Sequence, residues 1–196
     1  MRHNKTPIPC TRGSYLPQNE RQEAFPPGPK VLLVVGPKKN GKTTLIEKLI
    51  PELSARDYRV GTVKHHHAHS PLQMDHEGKD SWRHRKAGAK AVAVVSPSEV
   101  AVVQNTNELI SLNEAIGLLR GVDIVLAEGF SWESKPKIEV RRTLQEDISS
   151  KDNQLLAFVS PEKHHRGIPC FTPDEIKPLA DLIEEQILGR HTSIKQ

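Results

Sequence analysis

Gly36-Pro-Lys-Lys-Asn-Gly41-Lys42-Thr43 is a complete G-x-x-x-x-G-K-[ST] pattern, and its setting narrows the possible folds more than any other feature of the chain. Before it stands Lys30-Val-Leu-Leu-Val-Val35, a continuous apolar run expected of a strand buried on both faces. After it, residues 41–56 place Leu45, Ile46, Leu49, Ile50 and Leu53 on one helical face, with Pro51 expected to kink the last turn. Strand, glycine loop and helix in that order make a phosphate cradle. The two glycines let successive N–H groups converge on phosphate oxygens at a helix N-terminus whose dipole favours anions. Lys42 is suited to bridging β- and γ-phosphates, Thr43 to Mg²⁺ and Thr44 to the α-phosphate.

The remainder of the chain continues the alternation. Arg59–Lys64 reads as a second strand, and residues 79–87 as a short helix stopped by Gly88. Ala91–Val95 and Glu99–Val103 read as two short strands joined by Ser96-Pro97-Ser98, a hairpin-sized link that points to antiparallel pairing. Ser111 with Glu114 forms a capping box that opens a helix expected to reach Gly121. Asp123–Ala127 and Leu155–Val159 are further buried strands, Ile138 and Val140 alternate with polar neighbours, and Leu179, Leu182, Ile183 and Ile187 mark a C-terminal amphipathic helix. The expected fold is a three-layer α/β domain of the P-loop NTPase type over residues 30–190, with a mostly parallel, mixed sheet. Residues 1–29 end in Phe25-Pro-Pro-Gly-Pro29 and offer no face to bury, so a flexible N-terminal arm is expected there.

Composition excludes several classes of function. With 36% hydrophobic and 27% charged residues, no stretch approaches the ~20 apolar residues of a membrane span, and the basic start lacks an apolar signal core. A cytoplasmic protein with no membrane association is expected. Cys10 and Cys170 have no CxxC spacing and read as plain thiols. The net charge of +4 comes without a dense Lys/Arg track and with only 4% aromatics, which argues against nucleic acid and suits a small, heavily phosphorylated ligand.

A phosphate cradle also needs an acidic partner near the metal. Asp123 opens its strand and would sit about 16 Å from the phosphates, at ~3.3 Å per residue, so a structural role is expected. Glu128, in Leu126-Ala-Glu-Gly-Phe130, leaves the carboxyl end of that strand toward the metal, and Asp75 in the loop after the second strand is an alternative reaching the same place. Lys64-His65-His66-His67-Ala68-His69 lies at the strand end nearest the cradle, where His65, His67 and His69 would share one side at period two. A metal, a phosphate or plain solvation all explain these letters.

In combination these segments resemble the MobB family, a GTP-binding adaptor of molybdopterin guanine dinucleotide biosynthesis. The resemblance rests on the cradle Gly36–Thr43, Val63-Lys-His-His-His67, Asp75 followed by Gly78-Lys-Asp-Ser81, Arg85-Lys-Ala-Gly-Ala89 and Leu126-Ala-Glu-Gly-Phe130, in that order. It spans roughly residues 30–188. It implies GTP and Mg²⁺ as ligands, weak hydrolysis at most, a homodimer, and as partner the guanylyltransferase that joins GMP to molybdopterin. It assigns Lys39, Asn40, Gly41, Lys42, Thr43 and Thr44 to the nucleotide and Thr43 and Glu128 to the metal. Lys64, His65 and His67 become contacts for the cofactor or its phosphate, and no catalytic residue is assigned. After residues 155–159 comes Ser160-Pro-Glu-Lys163 in place of an Asn/Thr-Lys-x-Asp motif, so these residues leave guanine over adenine open.

Two rival readings use the same cradle. A nickel- or zinc-insertion GTPase would employ the histidines, although no CxxC or Cys-Pro-His site accompanies them. A small-molecule kinase would need a base and an arginine-rich lid, and the short segment after Glu128 offers no lid.

Overall fold

The computed structural model describes residues 28–66, 76–143, 153–162 and 167–189. Its centre is a six-stranded sheet, ordered β2-β5-β1-β6-β7-β8 and parallel at every pairing. The strands are β1 (Lys30–Val35), β2 (Val60–Lys64), β5 (Ile124–Glu128), β6 (Lys137–Val140), β7 (Leu155–Val159) and the two-residue β8 (Cys170–Phe171). Parallel strands are covered on both faces, and the apolar runs obey: Leu32, Leu33 and Val34 of β1 and Ile124–Ala127 of β5 have no solvent exposure.

One face carries α1 (Lys42–Ser54) and α4 (Ile176–Ile183), whose Leu45, Leu49, Leu53, Leu179 and Ile183 pack on Leu32, Leu126 and Ile138. Burying Leu49 and Leu53 completely stabilises the layer by ~2 kcal/mol each. The opposite face carries α3 (Leu112–Gly117), whose Leu112 and Ile116 meet Leu33, Val35, Val125 and Phe130. These are the three layers expected from the alternation of strands and helices.

The antiparallel pair also forms, but apart from the main sheet. β3 (Ala91–Val95) and β4 (Val100–Gln104) make a two-stranded sheet of their own, against which α2 (Asp80–Lys86) packs. The main sheet is therefore parallel throughout rather than mixed. Hairpin pairing lets β3 and β4 bond to each other along their facing edges, a contact that needs only the short link between them.

Other boundaries differ in detail. α1 runs past Pro51 to Ser54, with the Ala55 N–H donating to the Pro51 carbonyl at 2.9 Å; Glu47, whose carbonyl the proline leaves without a donor, is an exposed residue. The capping box at Ser111 and Glu114 is present, yet α3 stops at Gly117, where Leu118 and Leu119 tighten into bonds to Ala115 and Ile116. β8 is too short to leave a periodic pattern. The C-terminal helix changes at Glu184–Leu188 to a π-helical turn closed by Gly189 in the left-handed conformation. The expected arm falls almost wholly outside the described residues, as does Cys10, while Cys170 is a half-buried free thiol.

Candidate functional site

The loop between β1 and α1 has the backbone its glycines foretold. Gly36 (φ 131°) lies so close to Val140 that an added Cβ would run into the Val140 carbonyl oxygen, and Gly41 (φ 100°) is the left-handed N-cap of α1. Lys39, with φ 62°, takes the same hand without glycine's freedom. Asn40 braces the curl: its Nδ2 donates to the Lys38 carbonyl at 3.1 Å, and its Oδ1 accepts from the Arg142 N–H at 2.8 Å. Lys42 folds back across the loop, its ammonium donating to the Gly36 and Pro37 carbonyls at 3.0 and 2.8 Å. Thr44 is exposed in the first turn of α1.

Beside this loop three side chains from separate elements meet. The Thr43 hydroxyl donates to Glu128 Oε2 at 2.9 Å, and the Lys64 ammonium lies 3.1 Å from the same oxygen and 3.4 Å from the Thr43 hydroxyl. Register brings them together: β2 and β5 pair Lys64 with Glu128, and β1 pairs Val34 with Glu128, so all three strands end level with the loop. Glu128 is 14% exposed and Lys64 58%. Asp123 stands at the far end of β5, accepting the Arg59 N–H and guanidinium at 2.6–3.0 Å. Those bonds raise the Arg59 pKa above its ordinary value. The structural role expected for Asp123 is the one observed.

The donor chemistry around Thr43 fits Mg²⁺. A hydroxyl and a carboxylate oxygen 2.9 Å apart are hard ligands of the kind this ion takes, and the Lys64 ammonium already sits where positive charge is favoured. Among the described residues no group of three or more His, Cys, Asp or Glu side chains is placed to hold a metal ion. Asp75 and His67 lie outside the described residues, as do His69, His164 and His165. His65 is described, half-buried, and its N–H donates to the Glu128 carbonyl at 3.0 Å.

Two features of the site went unread in the sequence. The loop after Glu128 brings Trp132 against His65 (ring centroids 5.0 Å apart) and Phe130 (5.6 Å). Lys137 is only 7% exposed, and its ammonium donates to the Ser131 and Glu133 carbonyls at 3.4 and 3.3 Å. Next to it a cleft of about 370 Å³ opens between Gly36, Pro37 and Ser131 on one side and Lys137, Glu139 and Arg141 on the other. The signals were a tryptophan two residues beyond a strand-end Glu-Gly-Phe and a lysine set among apolar strand residues.

Known proteins resemble this chain in sequence and in fold. The family model described as "Molybdopterin guanine dinucleotide synthesis protein B" matches residues 31–161. A molybdopterin-guanine dinucleotide biosynthesis adapter protein of Haemophilus influenzae is 36% identical over 164 residues, covering 82% of this chain and 91% of the relative. The Escherichia coli protein of the same name is 33% identical over 153 residues, covering 74% of this chain and 86% of the relative. Among solved structures, a molybdopterin-guanine biosynthesis protein B superimposes with a TM-score of 0.64 at 31% identity, covering 79% of this chain and 98% of the other. Bacillus subtilis MobB gives 0.63 at 29% identity, covering 82% and 99%. Sequence, fold and glycine loop thus converge, and the chain belongs to the MobB family.

Proposed function

We propose that this chain holds GTP with Mg²⁺ on its Gly36–Thr43 loop and presents it to the guanylyltransferase that joins GMP to molybdopterin. Its place is molybdopterin guanine dinucleotide biosynthesis, in the adapter role for which its curated relatives are named. One observation carries the nucleotide reading: Thr43, Glu128 and Lys64 converge within 3.4 Å at the mouth of a left-handed glycine loop. In the proposed complex, Lys42 exchanges the Gly36 and Pro37 carbonyls for phosphate oxygens, and the main-chain N–H groups of Lys39–Thr44 surround the α- and β-phosphates. Thr43 and Glu128 would hold Mg²⁺, which, when bound, offsets charge on the β- and γ-phosphates. Glu128 therefore binds charge rather than activating water, and the chemistry belongs to the partner enzyme.

The working form we propose is a homodimer in the cytoplasm. No helix among the described residues is long and apolar enough to cross a membrane. The β3–β4 hairpin supports self-association. Its register puts Val95 opposite Val100 and Ala93 opposite Val102, so these residues share one face, and the three valines are 62–72% exposed. A two-stranded sheet is marginal alone in water, and a second copy of the same face is an apolar surface that matches it.

Calorimetry of the purified chain tests the nucleotide reading. Tight, Mg²⁺-dependent GTP binding is expected, with ATP weaker, and Lys42→Ala should lower the affinity by about a hundredfold through loss of charge-assisted hydrogen bonds. Unchanged affinity in that variant refutes the cradle. A strong preference for ATP refutes the adapter's nucleotide.

A further inference from the structure

In this aromatic-poor chain three rings gather within two strand ends of the metal-binding oxygens. His65, Phe130 and Trp132 lie with centroids 5.0–5.6 Å apart and planes inclined by 52–83°. Neither His65 nor Phe130 lies flat on the indole, and Trp132 keeps 59% of its surface exposed although Phe130 beneath it is buried. Solvating that much indole has a cost that a surface turn could avoid with a polar residue.

The turn carrying the indole is held rigidly. Gly129 (φ 93°) donates its N–H to the Val34 carbonyl at 3.1 Å, and a Cβ on it would press to 3.2 Å from His65 Cβ. Phe130 takes φ 54°, a left-handed conformation strained for an aromatic residue and of the kind structures keep at ligand sites. The buried Lys137 ammonium then clamps the carbonyls of Ser131 and Glu133 on either side of Trp132. An exposed indole on a strained, pinned turn is a platform.

Its position selects the ligand. Thr43 and Glu128 mark the β/γ end of a bound triphosphate, since that end shares the metal. The His65 N–H binds the Glu128 carbonyl, and Trp132 follows Glu128 by four residues, so the rings flank that end. The nucleotide's own base lies at the opposite end of its phosphate chain. We propose that Trp132, supported by His65 and Phe130, is a stacking platform for the pterin ring of the GMP acceptor, with Lys64, next to His65 in the chain, as the positive charge for its anionic groups. This deepens the reading under Proposed function and rests on it for the identity of the acceptor.

The test uses pterin-6-carboxylate, a planar, fluorescent, anionic pterin, with its anisotropy followed as the full chain is added in the presence of Mg·GTP. Wild type should bind the probe, Trp132→Ala should lose about tenfold or more in affinity, and Trp132→Phe should recover most of it. Mg·GTP affinity by calorimetry should be the same in all three, a readout that separates this proposal from failure of the phosphate cradle. Three results overturn it: no probe binding by wild type, equal binding by wild type and Trp132→Ala, or a matching loss of Mg·GTP affinity in Trp132→Ala, which would place guanine on the ring instead. Because Trp132 is largely exposed, the variants should melt within a few degrees of wild type, and a folded Trp132→Ala that still binds probe refutes the platform outright.

Discussion

Gly36 shows how narrowly a single position can be constrained. Its φ of 131° and the Val140 carbonyl against its Cα leave no room for a methyl group. Gly36→Ala should destabilise the domain by about 2 kcal/mol from backbone strain alone, and a urea titration should show the loss even without nucleotide. The effect is a test of geometry: the adjacent Pro37, exposed on the loop, should accept alanine with little change in stability. The sequence pattern named both glycines and Lys42 because phosphate cradles require them. It could not say that Lys64 would lie on Glu128, 64 residues away in the chain, since that contact depends on strands ending level. If Mg²⁺ binds Glu128 as proposed, it competes with Lys64 for the same carboxylate oxygen, so Lys64→Ala should bind the ion more tightly in a magnesium titration of the GTP complex. Weaker binding would mean that Lys64 helps hold the phosphates instead.

At the scale of elements, the cap of α3 makes a clear pH prediction. The Ser111 hydroxyl and N–H both donate to the Glu114 carboxylate, at 2.6 and 2.8 Å, while the Glu114 N–H returns a bond to the hydroxyl. Donation from the Ser111 side chain, and then from its backbone, holds the Glu114 pKa below its ordinary 4.5. A carboxyl depressed in the fold contributes its stabilisation above the unfolded value and loses it as pH falls through the folded one. Ser111→Ala should therefore lower stability at neutral pH and flatten the fall in stability below about pH 4.5, both readable from denaturation at several pH values. A second joint links α1 to α4, where Arg56 bonds Glu52, Asp181, Glu184 and the Lys177 carbonyl. The capping box was legible as letters three apart. Beyond Glu52, the rest of the Arg56 joint was not, because Asp181 and Glu184 lie about 125 residues beyond it and meet it only when the helices pack.

One exposed apolar surface bears on the assembly of the whole molecule. Val95, Val100 and Val102 face solvent together on a hairpin outside the main sheet. If that face joins two copies, Val95→Lys with Val102→Lys should yield a monomer in sedimentation velocity where wild type sediments as a dimer. Nucleotide affinity should survive in the monomer, because the cradle draws on β1, β2, β5, β6 and α1 and not on the hairpin. A wild-type monomer at micromolar concentration would remove the hairpin from assembly.

The order of apolar runs and breakers determined the alternation of strands and helices, and the glycine pattern determined the left-handed loop between β1 and α1. Both are local: hydrophobic periodicity and the freedom of a glycine backbone act over a few residues and are written in consecutive letters. Tertiary structure alone decided that β3 and β4 leave the main sheet, that Lys64 meets Glu128, and that Trp132 stands exposed over a turn clamped by Lys137. Each of these depends on which strands become neighbours and where their ends fall. Register is set by the packing of the whole sheet, and a one-residue slip of β2 against β5 would turn Lys64 to the face opposite Glu128.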